Sequence, residues 1–552
     1  MMSKYLVYPV LGLSAVLGLA ACSESQSAAT HLEIAPNVAT GITTGQPASR
    51  LRPEEDGQTY NPEAVIPPQC YTKHEGTFTP CMTCHQSYPW GSRPNSMSDV
   101  GLQSAYLFSD QGMTNHWENL FEDRTQAMAE ISDQQVLDYI NTDNYSPLIE
   151  QLKATPDWAG PIPEITNLHL GAEAFDEQGF AKDGSHWVAF NYMPLPSTFW
   201  PTNGSTDDVM IRLPEAFRRS ACHPDGEASR DVYLANLSIL EMAIKDLQTI
   251  SVPEIDERAV CQDLNGDGEL GNVTQIIRPS HYVGGAQQVP VTVMLYPVGT
   301  EFIHTVRYVG VDGDNIDASV RLKELRYMNK FTSYNENQLI SMYGNERQEK
   351  IEGRLPLYIN RGDKGTDNSF GWMLLGFIED QQGSLRLQSR EETLFCMGCH
   401  TTIGATIDQT FAFARKVTGA QGWSYINLRD MDDVPYVGGA QNEIAHYLES
   451  VGGGDEFREN AEMRQRFFHQ DGSLNQAAVA GKTVYELITP SPERALALNK
   501  AYMTIVRDQD YIHGRDANLK PAVNVYRQVD PDTAPVLPGD KIKPWDIRLQ
   551  WE

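Results

Sequence analysis

The spacing of apolar and polar positions changes along the chain, and each change marks a segment. Lys4 is followed by an uncharged apolar run from Tyr5 to Ala21, too short and too close to the N-terminus for a membrane span, so it reads as an export signal. No later stretch is apolar enough to span a bilayer. From Ser23 to about Asn61 the chain is rich in Ser, Ala, Thr, Gly, Pro and charge and shows no periodicity, the composition of a flexible tether. Trp117, Leu120, Phe121 and Met128 fall on one helical face, and Ser132 with Gln135 forms a capping box that opens a helix carrying Val136, Leu137 and Ile140. Residues 161–227 read as loop. A long amphipathic helix is predicted over Arg230–Gln248.

The rhythm then shortens. Val289, Val291, Val293 and Leu295 alternate with period two, and strands are predicted there and over Phe302–Val311, Val320–Tyr327 and Gly371–Ile378. Helical spacing returns over Asn442–Val451, Glu456–Phe468, Gln476–Ile488 and Glu493–Arg507, the last opened by Ser491-Pro492. The expected fold class is α+β, with helical segments at both ends and an inserted, mainly antiparallel β region. The expected divisions are 1–21 signal peptide, 22–60 tether, 61–160 first helical segment, 161–390 central region and 391–552 second helical domain.

Composition narrows the partners. The chain of 552 residues has 43 Lys plus Arg against 73 Asp plus Glu, net −30. Such a surface repels phosphate backbones, so nucleic acid is not expected to bind. The apolar run ends Leu19-Ala20-Ala21-Cys22, which resembles the lipobox of bacterial lipoproteins. The resemblance implies cleavage before Cys22 and a lipid on its thiol. Ser23 at the second mature position suits the outer membrane of a Gram-negative-type cell envelope.

The eight cysteines carry the chemistry. Four fall in two identical frames, Cys81-Met82-Thr83-Cys84-His85 and Cys396-Met397-Gly398-Cys399-His400. In C-x-x-C-H the thiols can add to the two vinyl groups on one edge of a porphyrin, and the next residue, His, can give its imidazole to iron. A thioredoxin-like pair, one shared zinc site and structural disulfides are the competing readings. Export agrees with haem, because such attachment occurs outside the cytoplasm. On these two motifs the chain resembles di-haem c-type cytochromes. The resemblance implies two covalent haem c groups held by Cys81, Cys84, Cys396 and Cys399, with His85 and His400 as proximal iron ligands. Of the other cysteines, Cys222 and Cys261 are expected to pair in an oxidising compartment, and Cys70 is left over near the first motif.

The residue opposite each iron separates the functions: a sixth protein ligand suits an electron carrier, an open position suits peroxide or oxygen chemistry. Candidates are His116, His74 and Met193 for the first haem and His446, His469 and His513 for the second. The expected function is electron transfer to or from a redox partner protein by a membrane-anchored di-haem cytochrome. The alternatives are an oxidoreductase resembling bacterial di-haem peroxidases or rubber oxygenases, whose F-W-D-G-R stretch this chain lacks, and a haem-stabilised surface binding protein. Separately, Asp263, Asn265, Asp267 and Glu269 match the first half of an EF-hand loop, with Gly268 at the turn. A structural Ca²⁺ is expected there, although Thr274 stands where the closing Glu belongs.

Overall fold

The computed structural model describes residues 50–73, 80–88, 92–197, 201–222, 228–354, 357–452, 460–534 and 536–551. The lipobox, Cys22, His74 and most of the expected tether lie outside them. The folded body has begun by residue 51: Leu51 is buried, its carbonyl accepts from Leu387 N–H, and Arg52 pairs with Asp363 at 2.7 Å. The tether boundary read from composition at residue 60 therefore falls inside the body.

An eight-stranded antiparallel sheet forms the centre. Its strands are β1 (Val188–Ala189), β2 (Ser205–Arg212), β5 (Glu301–Asp312), β6 (Asn315–Lys330), β7 (Ile359–Asn360), β8 (Thr366–Asp367), β9 (Trp372–Glu379) and β10 (Leu385–Leu387). The order is β1-β2-β5-β6-β9-β8-β7, with β10 also on β9. A separate ribbon pairs β3 (Thr249–Asp256) with β4 (Asn272–Ile277). The mixed α+β class and the antiparallel strands near 302–311, 320–327 and 371–378 agree with the sequence pattern. The run Val289–Leu295 is not a strand. Pro290 has no N–H for a ladder, and Met294 sits at φ +59°. Conversely, the sheet begins inside the segment read as loop, at β1 and β2.

Side-chain alternation divides the sheet into two different faces. On one face Met210, Ile303, Leu325, Leu375 and Phe377 join Leu148, Ile149 and Leu152 of the helix Tyr145–Ala154 in an apolar core. The opposite face carries Asp207 and Val209 on β2, Phe302, His304 and Val306 on β5, and Glu324, Arg326 and Met328 on β6. Charged groups on an interior sheet face are costly unless paired, and here they pair: Glu324 with Arg326 and Arg515, Asp207 with His304.

Helix boundaries follow their caps. Ser132 and Gln135 form the expected capping box for Asp133–Ile140, and Ser491 accepts from Arg494 N–H at the start of Pro492–Asp508. The helix Arg230–Lys245 is buried on nearly every side, which explains why its apolar pattern is broad. The single helix read over Trp117–Met128 is instead a 3-10 turn, Glu118–Phe121, and a short helix, Thr125–Ala129. Buried Arg124 lies between them and bonds Asn119 and Asp508. Gln476–Ile488 likewise divides, around Gly481. Glu336–Ile351 is a helix within the region expected to be β.

The ends of the chain are not independent lobes. The C-terminal stretch returns across the first motif segment through single bridges Thr72↔Val525, Ser87↔Trp545 and Thr114↔Gln528. Cys222 and Cys261 form a disulfide, with Cα atoms 6.2 Å apart, that closes a loop around the buried helix. Among the described residues no helix is long and apolar enough to cross a membrane.

Candidate functional site

Each C-x-x-C-H motif is a helix end followed by a turn. Cys81–Cys84 is one helical turn, and His85 N–H returns to the Cys81 carbonyl at 2.8 Å. The second motif ends the helix Arg390–Met397, which Ser389 and Glu392 open with a capping box. His400 N–H bonds the Cys396 carbonyl at 3.0 Å, so the two motifs share one backbone geometry.

The fold brings these motifs together. Ala405 N–H donates to the Cys84 carbonyl at 2.9 Å. Gly398, inside the second motif, packs so closely on residue 65 that a Cβ would lie 2.3 Å from the Val65 carbonyl oxygen. Gly404 is equally confined, since a Cβ there would lie 2.1 Å from an Asp99 carboxylate oxygen. Any larger residue at either position pushes the motif segments apart.

Two clefts open beside this junction. The larger encloses about 1520 Å³ of non-atom space, solvent at the mouth included, and is lined by Cys84, Cys396, Cys399 and His400 on one side. Its other wall is the charged sheet face: Asp207, Val209, Phe302, His304, Val306, Glu324, Arg326 and Met328. The smaller, about 1130 Å³ on the same measure, is lined by Cys70, Cys81 and His85, with Tyr106, Glu346, Arg354, Tyr358 and Met397.

The two histidines are prepared differently. Nδ1 of His400 lies 2.7 Å from the Gln409 carbonyl, an acceptor that makes Nδ1 the protonated nitrogen and leaves the lone pair on Nε2. Burial, with the positive charge of Arg326 nearby, lowers the His400 pKa to about 4, so the ring is neutral at ordinary pH. His85 Nδ1 instead meets a carboxylate, Asp99 Oδ2, at 2.7 Å, and the other Asp99 oxygen accepts from Gln86 N–H. Gln103 donates to the His85 carbonyl and, at 3.0 Å, to that of Lys543. A neutral imidazole whose second nitrogen is bonded to an oxygen acceptor is the usual form of a metal-ligating histidine. Burial disfavours the thiolate form of these cysteines. Burial and the neighbouring Cys396 raise Cys399 to about 11, and burial with Cys399 and Cys70 nearby pushes Cys84 well up.

Buried charge on the sheet wall is ordered by pairing. Burial alone would raise the Glu324 carboxyl, but Arg326 at 2.8 Å and Arg515 at 3.2 Å hold it down at about 2. Lys323 reaches this wall because the β5–β6 register slips after Val306, and its ammonium donates to the Gly204 carbonyl at 2.6 Å. His304 Nε2 lies 3.4 Å from Asp207, whose carboxylate also accepts the Tyr192 hydroxyl at 2.6 Å.

The other expected ligands lie elsewhere. His116, Met193, His446, His469 and His513 line neither cleft. The His116 carbonyl lies 3.4 Å from His513 Nδ1. Met193 is fully buried, its carbonyl accepting from Arg415 at 2.8 Å. His446 sits on the helix Glu443–Val451, its Nδ1 3.2 Å from Gln441. Cys70, which spacing placed near the first motif, does line the His85 cleft. In the acidic loop the carboxylates are engaged locally: Asp263 accepts from Gly266 N–H and Gly268 N–H, and Asp267 from Glu269 N–H and the Asn265 side-chain amide. Among the described residues no three His, Cys, Asp or Glu side chains group as a metal site. A haem needs no such group, since its ring supplies four of the iron's ligands.

Comparison with known proteins corrects the family. A family model described as “-like lipoprotein” matches residues 55–485. An “Uncharacterized lipoprotein” of Aquifex aeolicus (strain VF5) is 31% identical over 519 residues, covering 83% of this chain and 86% of the relative. No solved structure matches. The resemblance to di-haem c-type cytochromes, and the more distant one to di-haem peroxidases and oxygenases, therefore does not place the chain in those families: the family shown is a lipoprotein family, and no cytochrome c or haem-binding family is shown. Two five-residue motifs identify an attachment chemistry, whereas a family is defined by the hundreds of residues around them.

Proposed function

The chain belongs to the lipoprotein family that matches residues 55–485, and on that premise we propose that it is an exported, lipid-anchored electron-transfer protein carrying two covalently attached haems. One observation carries the proposal. Two C-x-x-C-H motifs 315 residues apart in sequence meet in space, each with its histidine Nδ1 against an oxygen acceptor and each beside a cleft. Haem c supplies one-electron iron redox chemistry when bound there. The chain's own contribution is attachment by Cys81, Cys84, Cys396 and Cys399 and iron ligation by His85 and His400. It also provides a wall of paired charges beside the second group. On this reading both ends of the sequence build one di-haem body, and the β region is its shared wall rather than an insert between two lobes. Structural Ca²⁺ in the Asp263–Glu269 loop is a lesser element of the proposal, supported only by the sequence match.

Mass spectrometry of the exported protein is expected to show two haem additions, and a denaturing gel stained for haem peroxidase activity should keep its signal. One addition or none removes the reading. Anchoring is proposed at Cys22, in the outer membrane by virtue of Ser23. Cys22→Ser is expected to move the protein from the membrane fraction to the soluble fraction with both haems attached. A variant that stays with the membrane would place the anchor elsewhere.

The second reading is a haem oxidoreductase with one open iron, which the two C-x-x-C-H motifs also allow. Turnover of peroxide by the purified protein with an electron donor would establish that reading in place of simple electron transfer.

A further inference from the structure

We propose that Tyr308, Tyr139 and the carboxylate between them, Glu379, form a proton-coupled electron relay that feeds the larger cleft from the protein surface. The inference rests on the di-haem reading above, since the electron acceptor is an oxidised haem at His400 and the oxidant a peroxide.

The inner end of the relay is Tyr502, on the helix Pro492–Asp508, which lines the larger cleft together with Cys396 and His400. The charge of Arg515 acts on both the Cys396 thiol and the Tyr502 hydroxyl. The Tyr502 ring lies edge-on to Tyr308 of β5, with centroids 5.4 Å apart. Tyr308 lies edge-on in turn to Tyr139 of the helix Asp133–Ile140, at 5.7 Å. The order is also one of depth: Tyr308 is fully buried and Tyr502 nearly so, whereas Tyr139 is 8% exposed. The turn at residues 380–384 packs on Tyr139. A Cβ on Gly383 would lie 2.8 Å from its hydroxyl, and the neighbouring Gln381 and Gln382 are exposed.

Glu379, on β9, distinguishes this pair from ordinary core tyrosines. The Tyr308 hydroxyl donates to Glu379 Oε2 at 2.5 Å and the Tyr139 hydroxyl to Oε1 at 2.7 Å, so one carboxylate serves two phenols through different oxygens. Arg321 also donates to Oε1, at 2.6 Å, and balances the charge. A phenol that loses an electron becomes a strong acid, so the loss is easy only where a base takes the proton at once. Burial raises the Glu379 carboxyl, against the pull of Arg321, and makes the carboxylate a better base than an exposed one. Burial, with Glu379 beside it, also pushes the Tyr308 phenol well up, so it keeps its proton until the electron leaves. The neighbouring tyrosines lack such a base. Among the described residues the Tyr502 hydroxyl has no hydrogen-bond partner, and Tyr511 donates to the Glu379 backbone carbonyl, a far weaker base. Tyr502 is therefore a bridge by ring contact, not a radical site.

The steps balance on this geometry. Tyr308 gives an electron through Tyr502 to the oxidised haem and its proton to Glu379 Oε2. Tyr139 then gives an electron to the Tyr308 radical and its proton to Oε1, while Oε2 returns its proton to Tyr308. An external one-electron donor refills Tyr139, and Oε1 returns the last proton. The relay passes one electron and no net proton. Two passes, with two protons from solvent, reduce one peroxide to two water molecules.

The test mixes oxidised full-length protein with hydrogen peroxide, freezes it rapidly and records electron paramagnetic resonance, with haem counted by mass and a second sample made with ring-deuterated tyrosine. Wild type is expected to show an organic radical whose hyperfine lines narrow in the deuterated sample. Tyr308→Phe, which keeps the ring and its packing, should lose the radical, and so should Glu379→Gln, which keeps the size but not the base. Tyr139→Phe should retain a radical with altered splitting, now confined to Tyr308. Tyr511→Phe should leave the signal unchanged. Two haems without a radical, a radical that deuteration does not narrow, or an unchanged signal in Tyr308→Phe each overturn the relay and leave the di-haem reading intact. Wild type without haem overturns the di-haem reading, and the relay with it. If Tyr308→Phe does not fold, Tyr139→Phe decides, and an unchanged splitting there overturns the relay.

Discussion

Replacing Arg415 by Met is expected to destabilise the folded body by about 3–5 kcal/mol, the range for removing one partner of a buried ion pair. Arg415 and Glu443 are both fully buried, and the guanidinium makes a two-pronged contact with the carboxylate. The same guanidinium donates to the carbonyls of Met193 at 2.8 Å, Pro194 at 3.0 Å and Ile547 at 3.3 Å. It thereby joins the Met193 loop, the helix Glu443–Val451 and the C-terminal stretch, and Arg415 itself lines the larger cleft. Burial already pushes the Glu443 carboxyl up, so without Arg415 it must either take a proton or remain a buried anion. The three carbonyls lose a donor as well, each at a cost of about 1–3 kcal/mol where water cannot replace it. Guanidinium denaturation followed by far-ultraviolet circular dichroism measures the loss. A change below about 1 kcal/mol would mean that water reaches the site, contrary to its burial. Adding Glu443→Leu to the Arg415→Met variant should recover part of the loss, because two apolar groups of similar volume leave no charge exposed to a low dielectric.

The fold was legible where one face of an element is uniformly apolar. Strands β5, β6 and β9 and the helix Pro492–Asp508 bury regular stripes, and their patterns show it. Strand β2 was illegible for a specific reason. Its sequence Ser205–Arg212 contains Asp207 and Asp208 side by side, which reads as a turn. Each acid in fact serves a different face. Asp207 meets Tyr192 and His304 on the cleft side, and Asp208 is buried on the other with Arg307 and Thr305. Tertiary pairing overrode local propensity, as it does where a sheet carries a site.

The site was legible to the extent that its chemistry is local. Covalent attachment needs two thiols and a histidine within five residues, so spacing alone names Cys81, Cys84, His85, Cys396, Cys399 and His400 as candidates. What faces them is decided by sheet register, to which nearness in sequence is no guide. Met193, His116 and His446 were chosen for their sequence contexts, and none lines a cleft. The usable signal was the period-two row Phe302-x-His304-x-Val306, where an imidazole interrupts an apolar face. The convergence of the two motifs left traces of another kind. Gly398 and Gly404 flank the second Cys-His pair, and each marks a close approach that only the folded chain explains.

With haem bound at His85 and His400 as proposed, Asp99→Asn is expected to raise the reduction potential of the first while leaving the second unchanged. The reasoning starts from the two acceptors. Asp99 presents a carboxylate, only 3% exposed, to Nδ1 of His85 at 2.7 Å, whereas His400 has the neutral carbonyl of Gln409 at the same distance. A carboxylate draws the Nδ1 proton more strongly, so the other nitrogen becomes a better electron donor and favours the more positive, oxidised iron. The Asn side-chain oxygen can accept the same hydrogen bond without the charge. The ring then stays in place while the electrostatic contribution disappears. Partners of ligating histidines alter metal affinity by about 10–100-fold. A tenfold difference between the two iron oxidation states corresponds to about 59 mV in a one-electron couple, so a positive shift of at least about that size is expected. Spectroelectrochemical titration of the full-length protein would resolve two couples in the wild type and only one displaced couple in the variant. Asp99→Ala provides the contrast, since it removes the acceptor altogether and should also broaden the spectrum of that haem as the imidazole loses its orientation. Equal displacement of both couples would show that Asp99 acts through the general field of the shared junction. No displacement would show that the Asp99 carboxylate does not tune His85.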